Sequence, residues 1–328
     1  MSVRGRRVVV TGADGFIGSH LVERLVAEGA EVRAFCFYNS RGSWGWLDQA
    51  DASVRDAIDV KLGDVRDSGF VTAACADVEI VIHLAALIAI PYSYVAPESF
   101  VDTNVRGTLN VLEAARRHGV TRVIHTSTSE VYGTPASLPI RESHPMNAQS
   151  PYAATKVAAD QLTLAFHRSY GVPTVILRPF NTYGPRQSTR AVLPTMIAQL
   201  LSGKREIGLG RLDTRRDMTY VADTVDAFII AATKAGIEGE TIQLGTGRSV
   251  TIEELFETVC SVVGVEAETF VDERRMRPDA SEVEALESDP SRAREMLGWA
   301  AMTNLEEGIR KTVDWARSQP VEHDFLHI

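Results

Sequence analysis

The sequence predicts an α/β fold, a doubly wound parallel sheet over residues 1–180 with a smaller mixed lobe over 181–328. Three observations lead there. Six short runs rich in Val, Ile and Phe alternate with stretches of helical periodicity in the first half of the chain. A glycine-spaced turn follows the first of those runs. Beyond about residue 180, Gly and Pro punctuate more often, and charge rises between Glu266 and Arg294. Alternation of this kind implies parallel pairing, because each parallel connection must cross the sheet and leaves helices on both faces.

The strands are expected at 7–11, 31–37, 58–62, 79–84, 122–126 and 174–177. Helices are expected between them at 15–28, 68–74, 97–118 and 150–170. In the second lobe, helical patterns recur at 191–201, 221–234, 252–263, 291–297 and 305–316. Neither an internal repeat nor a low-complexity linker separates the two parts. The second lobe is therefore expected to pack on the first, with a ligand cleft between them and with the chain free to cross back.

Composition narrows the class of protein. A chain of 328 residues buries roughly three quarters of its unfolded surface, so it needs neither disulfide nor metal to hold a core. The 43 acidic against 34 basic side chains, a formal charge of −9, argue against a nucleic-acid partner, which would call for a basic face. The longest nearly apolar stretch, 80–90, is interrupted by His83 and is too short to span a bilayer. Arg4, Arg6 and Arg7 precede only Val8-Val9-Val10, shorter than the apolar core of an export signal. Cys36, Cys75 and Cys260 are scattered and form no CxxC pair. A cytoplasmic protein with reduced thiols is expected.

The chemistry begins at Gly12-Ala13-Asp14-Gly15-Phe16-Ile17-Gly18, between the first strand and the first helix. Small residues there let a pyrophosphate approach backbone N–H groups at the positive end of the helix, the Rossmann-like arrangement. After the third strand, Asp64 in Gly63-Asp64-Val65 is placed either to meet an adenine amine or to serve as a helix cap or turn residue. The second strand ends at Cys36 without the acid that would accept ribose hydroxyls, and Asn39, Ser40 and Arg41 follow. Arg41 suits a 2′-phosphate, so NAD and NADP both stay open.

Tyr152 and Lys156 stand one helical turn apart, where a phenol and an ammonium share a face, although surface Tyr–Lys pairs of this spacing are common. A phenol needs a nearby cation to act as a base near neutrality. Ser127-Thr128-Ser129-Glu130 follows the fifth strand at its carboxyl end, where open α/β sheets bind ligands. Thr128 suits a substrate hydroxyl. Glu130 suits proton transfer, or is an ordinary solvated loop acid. His20, His83, His118 and His125 form no ligand-like cluster with Cys or carboxylates; they read as packing or surface histidines, and no metal is expected.

Together these stretches resemble the extended short-chain dehydrogenase/reductases, the NAD(P)-dependent nucleotide-sugar epimerases and dehydratases. The likeness runs from Gly12 to Trp299. It takes in His83-Leu84-Ala85-Ala86, Asn104-Val105-Arg106-Gly107-Thr108, Glu130-Val131-Tyr132-Gly133, the run from Arg178 to Arg186, and Arg216-Asp217-Met218-Thr219-Tyr220-Val221. The resemblance implies NAD or NADP bound by Gly12, Asp14, Gly15, Phe16, Ile17, Gly18, Arg41, Asp64, Val65, Leu84, Ala85, Ala86, Asn104, Tyr152 and Lys156. It implies Tyr152 as base at the sugar C4 hydroxyl, Lys156 lowering its pKa, and Thr128 as hydroxyl partner. A nucleotide-diphosphate sugar would be held by Ser129, Asn181, Arg190, Arg216 and Arg277.

Epimerases of this family usually carry a small residue at the position of Glu130, whereas 4,6-dehydratases carry Glu. Thr128-Ser129-Glu130 is similar to GDP-mannose 4,6-dehydratases and lacks the Asp of the dTDP-glucose enzymes, which leaves the acid at C6 unassigned. The loop from Asn39 to Asp48 and the segment Arg277-Pro278-x-x-Ser281-Glu282-Val283 resemble dehydratases of legionaminic-acid-type pathways, which act on nucleotide-linked N-acetylglucosamine. Trp44 and Trp46 read as packing of the long loop. The implied reaction oxidises C4, removes the C5 proton through Glu130, loses water from C6 and delivers hydride there. The alternatives are a 4-epimerase and a non-catalytic dinucleotide sensor. A homodimer through the 97–118 and 150–170 helices is also implied.

Overall fold

The computed structural model describes residues 2–319; residues 320–328 of the expected second lobe lie outside it. Its central element is a seven-stranded, wholly parallel sheet. The strands are β1 (Arg7–Thr11), β2 (Glu31–Phe37), β3 (Ile58–Gly63), β4 (Ile80–His83), β5 (Arg122–Thr126), β6 (Thr174–Pro179) and, later in the chain, β10 (Thr241–Leu244). Their order is β10-β6-β5-β4-β1-β2-β3. Successive strands run outward from β1 in one direction and from β4 in the other. The gap between those two is the switch point where such sheets bind ligands.

Both faces of the sheet are buried, and the alternation of side chains shows how. Val8 and Val10 of β1, with Ala34, Cys36, Ile80, Ile82 and Ile124, face one core cluster. Helices Phe16–Ala27 and Val221–Thr233 close that face through Leu21, Val22, Leu25, Val225 and Phe228. Val9, Phe35, Val81 and Val123 point the other way, against Val71, Val111, Leu112 and Phe166 of helices Ser68–Ala74, Gly107–His118 and Pro151–Tyr170. Two apolar faces explain why these strands read as near-continuous hydrophobic runs.

The outer lobe carries two small sheets. β9 (Arg215–Tyr220) pairs with β7 (Asn181–Tyr183) and β13 (Ala285–Leu286) in parallel and with β11 (Ser249–Thr251) antiparallel. β8 (Glu206–Leu209) and β12 (Glu268–Val271) form a parallel pair. None of these strands, nor β10, is evident in the sequence. β10 is short and carries Gln243, which is fully buried yet satisfied: its amide donates to Ile140 O and to Asp289 O at 3.0 Å, and its carbonyl accepts from the Tyr132 hydroxyl at 3.1 Å. Residues 221–244 thus return to the large sheet, and the lobe at 181–319 is split between the two layers.

The helix expected over 97–118 is broken into three. Pro97–Phe100 is α-helical, Val101–Arg106 is a π turn, and Gly107–His118 is α-helical again. The wider turn presents Asn104, which is almost completely buried, and such turns recur at functional sites. Among the described residues no helix is long and apolar enough to cross a membrane.

Gly18 is the tightest point of the first βα turn, since a Cβ there would lie 2.0 Å from the carbonyl oxygen of Gly12. Gly18→Ala is expected to lower stability by about 1–3 kcal/mol through overpacking, read as a reduced thermal midpoint.

Candidate active site

The glycine turn, the Leu84–Ala86 loop, Thr128 and Glu130 stand at the carboxyl ends of β1, β4 and β5, and a segment of the outer lobe reaches over them. Gly12 follows β1 with φ +69°, and a Cβ on it would meet Ala85 N at 2.8 Å. That approach brings the Leu84–Ala86 loop after β4 against the glycine turn. Thr11 fastens it, as Leu84 N–H donates to Thr11 O at 3.1 Å and Ala85 N–H to Thr11 Oγ1 at 3.2 Å. Gly15 occupies the N-cap of Phe16–Ala27 with no side chain over the helix end. The first-turn N–H groups of Phe16, Ile17 and Gly18 lack intrahelical acceptors, so a cradle for an anion is left, and a Cβ at Gly12 or Gly18 would strike backbone there.

The neighbouring expectations fare unevenly. Asp14 points to the end of β2, where its Oδ2 accepts from Phe37 N–H at 3.2 Å, and its carbonyl accepts from Trp46 N–H at 3.1 Å. Burial pushes its carboxyl pKa up. Asp14 therefore holds the Asn39–Asp48 loop down, and Trp46 packs edge-on against Trp315 at 5.6 Å, the packing role expected of it. Arg41 is exposed on that loop and is brought to no other group of the site. Asp64 is a turn residue and not a helix cap: its Oδ1 accepts from Arg66 N–H at 2.8 Å, and Arg66 also grips it through Nε at 2.9 Å and Nη2 at 2.5 Å and lowers its pKa. Asp67 is the residue that caps the next helix. Val65 is buried under Gly107, whose Cβ would meet it at 2.9 Å, while Asn110 holds the Val65 carbonyl at 2.9 Å. Asn110 carried no signal in the sequence.

Asn104 is a fastening rather than an open polar group. Its Oδ1 accepts from Leu87 N–H at 2.8 Å, and its Nδ2 donates to Leu87 O at 2.9 Å and Thr155 Oγ1 at 3.0 Å. It therefore ties the loop after β4 to the helix that carries Tyr152. That helix, Pro151–Tyr170, starts from Ser150, whose hydroxyl accepts from Ala153 N–H at 3.1 Å, with Pro151 in the first turn.

Tyr152 and Lys156 are both buried, at 7% and 4% exposure. Burial drives the Tyr152 pKa far above the usual phenol range; a hydrogen bond with Thr128 opposes this, and the charge of Glu130 adds to it. The expected phenol–ammonium meeting takes a different form. Lys156 Nζ donates to Thr126 O at the end of β5, 2.5 Å away, and burial brings its pKa down to about 8 against the pull of Asp160. Thr128 caps the short turn Ser129–Tyr132, accepting from Glu130 N–H at 3.2 Å. Ser129 is buried, and Glu130 is half-buried.

Behind this pair lies a polar network that the sequence did not disclose. Asp160, one turn beyond Lys156, is fully buried; its Oδ2 accepts from Arg178 Nη2 at 2.7 Å and Ser127 Oγ at 2.8 Å, and His125 Nε2 sits 3.3 Å from Oδ1. Burial works to raise the Asp160 pKa, but His125 and Arg178 outweigh it and hold the group down at about 2. Burial with the nearby Lys156 charge brings His125 to about 4. His83, bonded to Thr11 at 2.7 Å and Thr108 at 3.1 Å, is also held well below its ordinary value by burial. These two histidines pack as neutral rings, 5.7 Å apart.

Over the mouth, β9 brings Arg216, and the segment after β12 brings Arg277 and Glu282. Arg216 is 6% exposed, and burial lowers its pKa while Glu130 opposes and Arg277 adds. Its Nη2 lies 3.3 Å from Glu282 Oε1, and Arg277 Nη1 lies 3.6 Å from the same oxygen. Asn181, on the adjoining β7, has a buried Oδ1 with no partner. Arg190 is the exception: it is exposed, on the loop before helix Val192–Leu201, and is not joined to this cluster.

The family model for GDP-mannose 4,6 dehydratase matches residues 9–312. A UDP-glucose 4-epimerase of Mycolicibacterium smegmatis is 36% identical over 95% of this chain and 99% of its own length. A dTDP-glucose 4,6-dehydratase of an Actinoplanes species is 34% identical over 95% and 98%. The crystal structure of the dTDP-glucose 4,6-dehydratase DesIV from Streptomyces venezuelae, with NAD and TYD bound, superposes with a TM-score of 0.86 at 30% identity, covering 95% of this chain and 97% of that one.

Removing the anion beneath Lys156 leaves Arg178 buried without its counter-charge. Asp160→Asn is expected to cost roughly 3–5 kcal/mol at pH 7, read by urea unfolding. The folded pKa of Asp160 is depressed, so its contribution is present above pH about 4 and fades as pH falls toward about 2. The difference between natural protein and variant should narrow over that acid range.

Proposed function

Because this chain belongs to the extended short-chain dehydrogenase/reductase family of nucleotide-sugar dehydratases and epimerases, we propose that it is an NAD-dependent nucleotide-sugar 4,6-dehydratase. It converts a nucleoside-diphosphate hexose to the 4-keto-6-deoxy sugar. Glu130 carries the proposal. It is a half-buried carboxylate two residues past Thr128, whose charge acts on both the Tyr152 phenol and the Arg216 guanidinium. Inversion at C4 has no use for a carboxylate there. Elimination across C5 and C6 requires a base at C5.

The glycine cradle fits a dinucleotide, since any side chain at Gly12 or Gly18 would strike backbone. The cofactor is NAD, which when bound supplies the hydride acceptor at C4 and the donor at C6. The chain's own residues do the rest. Tyr152 takes the proton of the C4 hydroxyl, with Thr128 hydrogen-bonded to the phenol to orient it. Lys156 is an ammonium below pH about 8 and supplies the cation that a phenolate needs. Glu130 removes the C5 proton, acidified by the adjacent ketone, and then as a carboxylic acid returns a proton to the departing C6 hydroxyl; C5 regains a proton from solvent as C6 is reduced, and Tyr152 releases its proton to solvent. Asn181, Arg216 and Arg277 hold the diphosphate, for which the planar guanidinium is suited. We assign the sugar as N-acetylglucosamine, on the likeness of the Asn39–Asp48 loop and the Arg277–Val283 segment.

A 4-epimerase is the second reading, favoured by the 36% identical relative of that name. Turnover in deuterated water separates the two. A dehydratase places solvent deuterium at C5; clean inversion at C4 without it overturns the proposal. Product NMR with UDP-, GDP- and dTDP-hexoses identifies the substrate.

Glu130→Gln is expected to cut dehydration by about 10²–10⁴ while C4 oxidation stays visible as NADH absorbance. Tyr152→Phe is expected to abolish both. The protein is further proposed to be a homodimer through residues 97–118 and 150–170, where Val101 and Leu109 stay 51% and 37% exposed; sedimentation should give twice the chain mass.

A further inference from the structure

Resting on the nucleotide-sugar reading above, we propose that the Glu282 carboxylate competes with the substrate diphosphate for Arg216 and Arg277 and thereby sets the affinity of the site. Glu282 is thus an affinity-setting residue that acts through two others and touches no reacting atom.

The geometry is that of one anion shared between two cations. Glu282 Oε1 lies 3.3 Å from Arg216 Nη2 and 3.6 Å from Arg277 Nη1, and the three side chains are 11%, 8% and 24% exposed. Two guanidinium groups so close and so covered repel each other, and some negative charge must offset them. A single carboxylate oxygen does this incompletely. Neither distance is that of a strong charge-assisted hydrogen bond, which falls near 2.7–2.9 Å. Arg277 Nη1 is buried without a hydrogen-bond acceptor. Elsewhere in this protein arginines close on carboxylates fully, as Arg178 does on Asp160 at 2.7 Å. The loose grip at Glu282 leaves donors for a ligand with more charge and more acceptor oxygens, which a diphosphate has.

The backbone at this position does not depend on the carboxylate. Ser281 Oγ donates to Gln149 O at 2.5 Å and meets the Tyr94 hydroxyl at 2.6 Å; Glu282 N–H donates to Pro278 O at 3.1 Å; and Val283 is buried beside Tyr132 and Phe180. A neutral side chain at 282 therefore keeps the segment in place. It removes the competitor and leaves both arginines for phosphate.

Isothermal titration of natural protein and Glu282→Gln with UDP, GDP and dTDP, and with the corresponding nucleosides, tests the proposal. The preferred diphosphate should bind the variant about tenfold more tightly, the size of one lost charge-assisted contact. Nucleoside binding should not change, which a general loosening of the fold would not reproduce. Should the Gln variant not fold, Glu282→Asp, with its shorter reach, should tighten binding in the same direction. Equal or weaker diphosphate binding by the folded variant overturns the competition and would make Glu282 an organiser of the arginines. If no diphosphate binds either protein, the nucleotide-sugar reading falls, and the competition with it.

Discussion

The carboxylate of Asp160 sits where the Pro151–Tyr170 helix meets the ends of β5 and β6, and most of the candidate site is positioned from it. Through Ser127 and His125 it holds β5, through Arg178 it holds β6, and one helical turn earlier lies Lys156. Arg178 continues the chain to the Tyr132 hydroxyl at 2.7 Å, and Tyr132 reaches Gln243 on β10. A buried ion pair alone is a poor source of stability, because desolvation offsets much of its attraction. Its effect here is positional: it leaves the helix one rotation and one height at which its charges are satisfied. Tyr152 and Lys156 inherit that setting.

The second lobe has a comparable hub in Asp217, next to Arg216 on β9. Its buried carboxylate accepts from Thr246 N–H at 2.8 Å, Gly247 N–H at 3.0 Å and the Ser288 hydroxyl at 2.6 Å. Three separated stretches of chain therefore converge beside the arginine that faces Glu130 and Glu282.

Much of this was legible in the residues. Six strands of the large sheet declare themselves because both faces are apolar, and the glycine turn, Tyr152, Lys156, Thr128 and Glu130 fall where the spacing puts them. What stayed hidden has physical reasons. β10 is four residues long and carries a glutamine whose partners come from three distant segments. The strands of the β9 sheet are two to six residues long, mostly of mixed polarity, and stabilised by neighbours remote in sequence. Asp160 looks like any helix carboxylate until β5 and β6 are laid against it. Arg41 and Arg190 have the right chemistry, but their loops leave them in solvent. Asp64 is claimed by an arginine two residues away, a local pairing that no long-range pattern reveals.

The π turn at Val101–Arg106 has a consequence for how this chain tolerates changes of length. An α-helix turns by about 100° per residue, so a π turn absorbs an added residue while returning both flanking segments to their proper faces. Phe100 before it and Val111 after it both reach the interior. Deleting one residue within 101–106 would restore an ordinary helix but swing everything on one side of the deletion by more than a quarter turn. Either Asn104 would leave the Leu87 backbone or the Gly107–His118 helix would lose its seat on the sheet. Substitutions on the solvent side of that segment are open to drift, but its residue count is fixed.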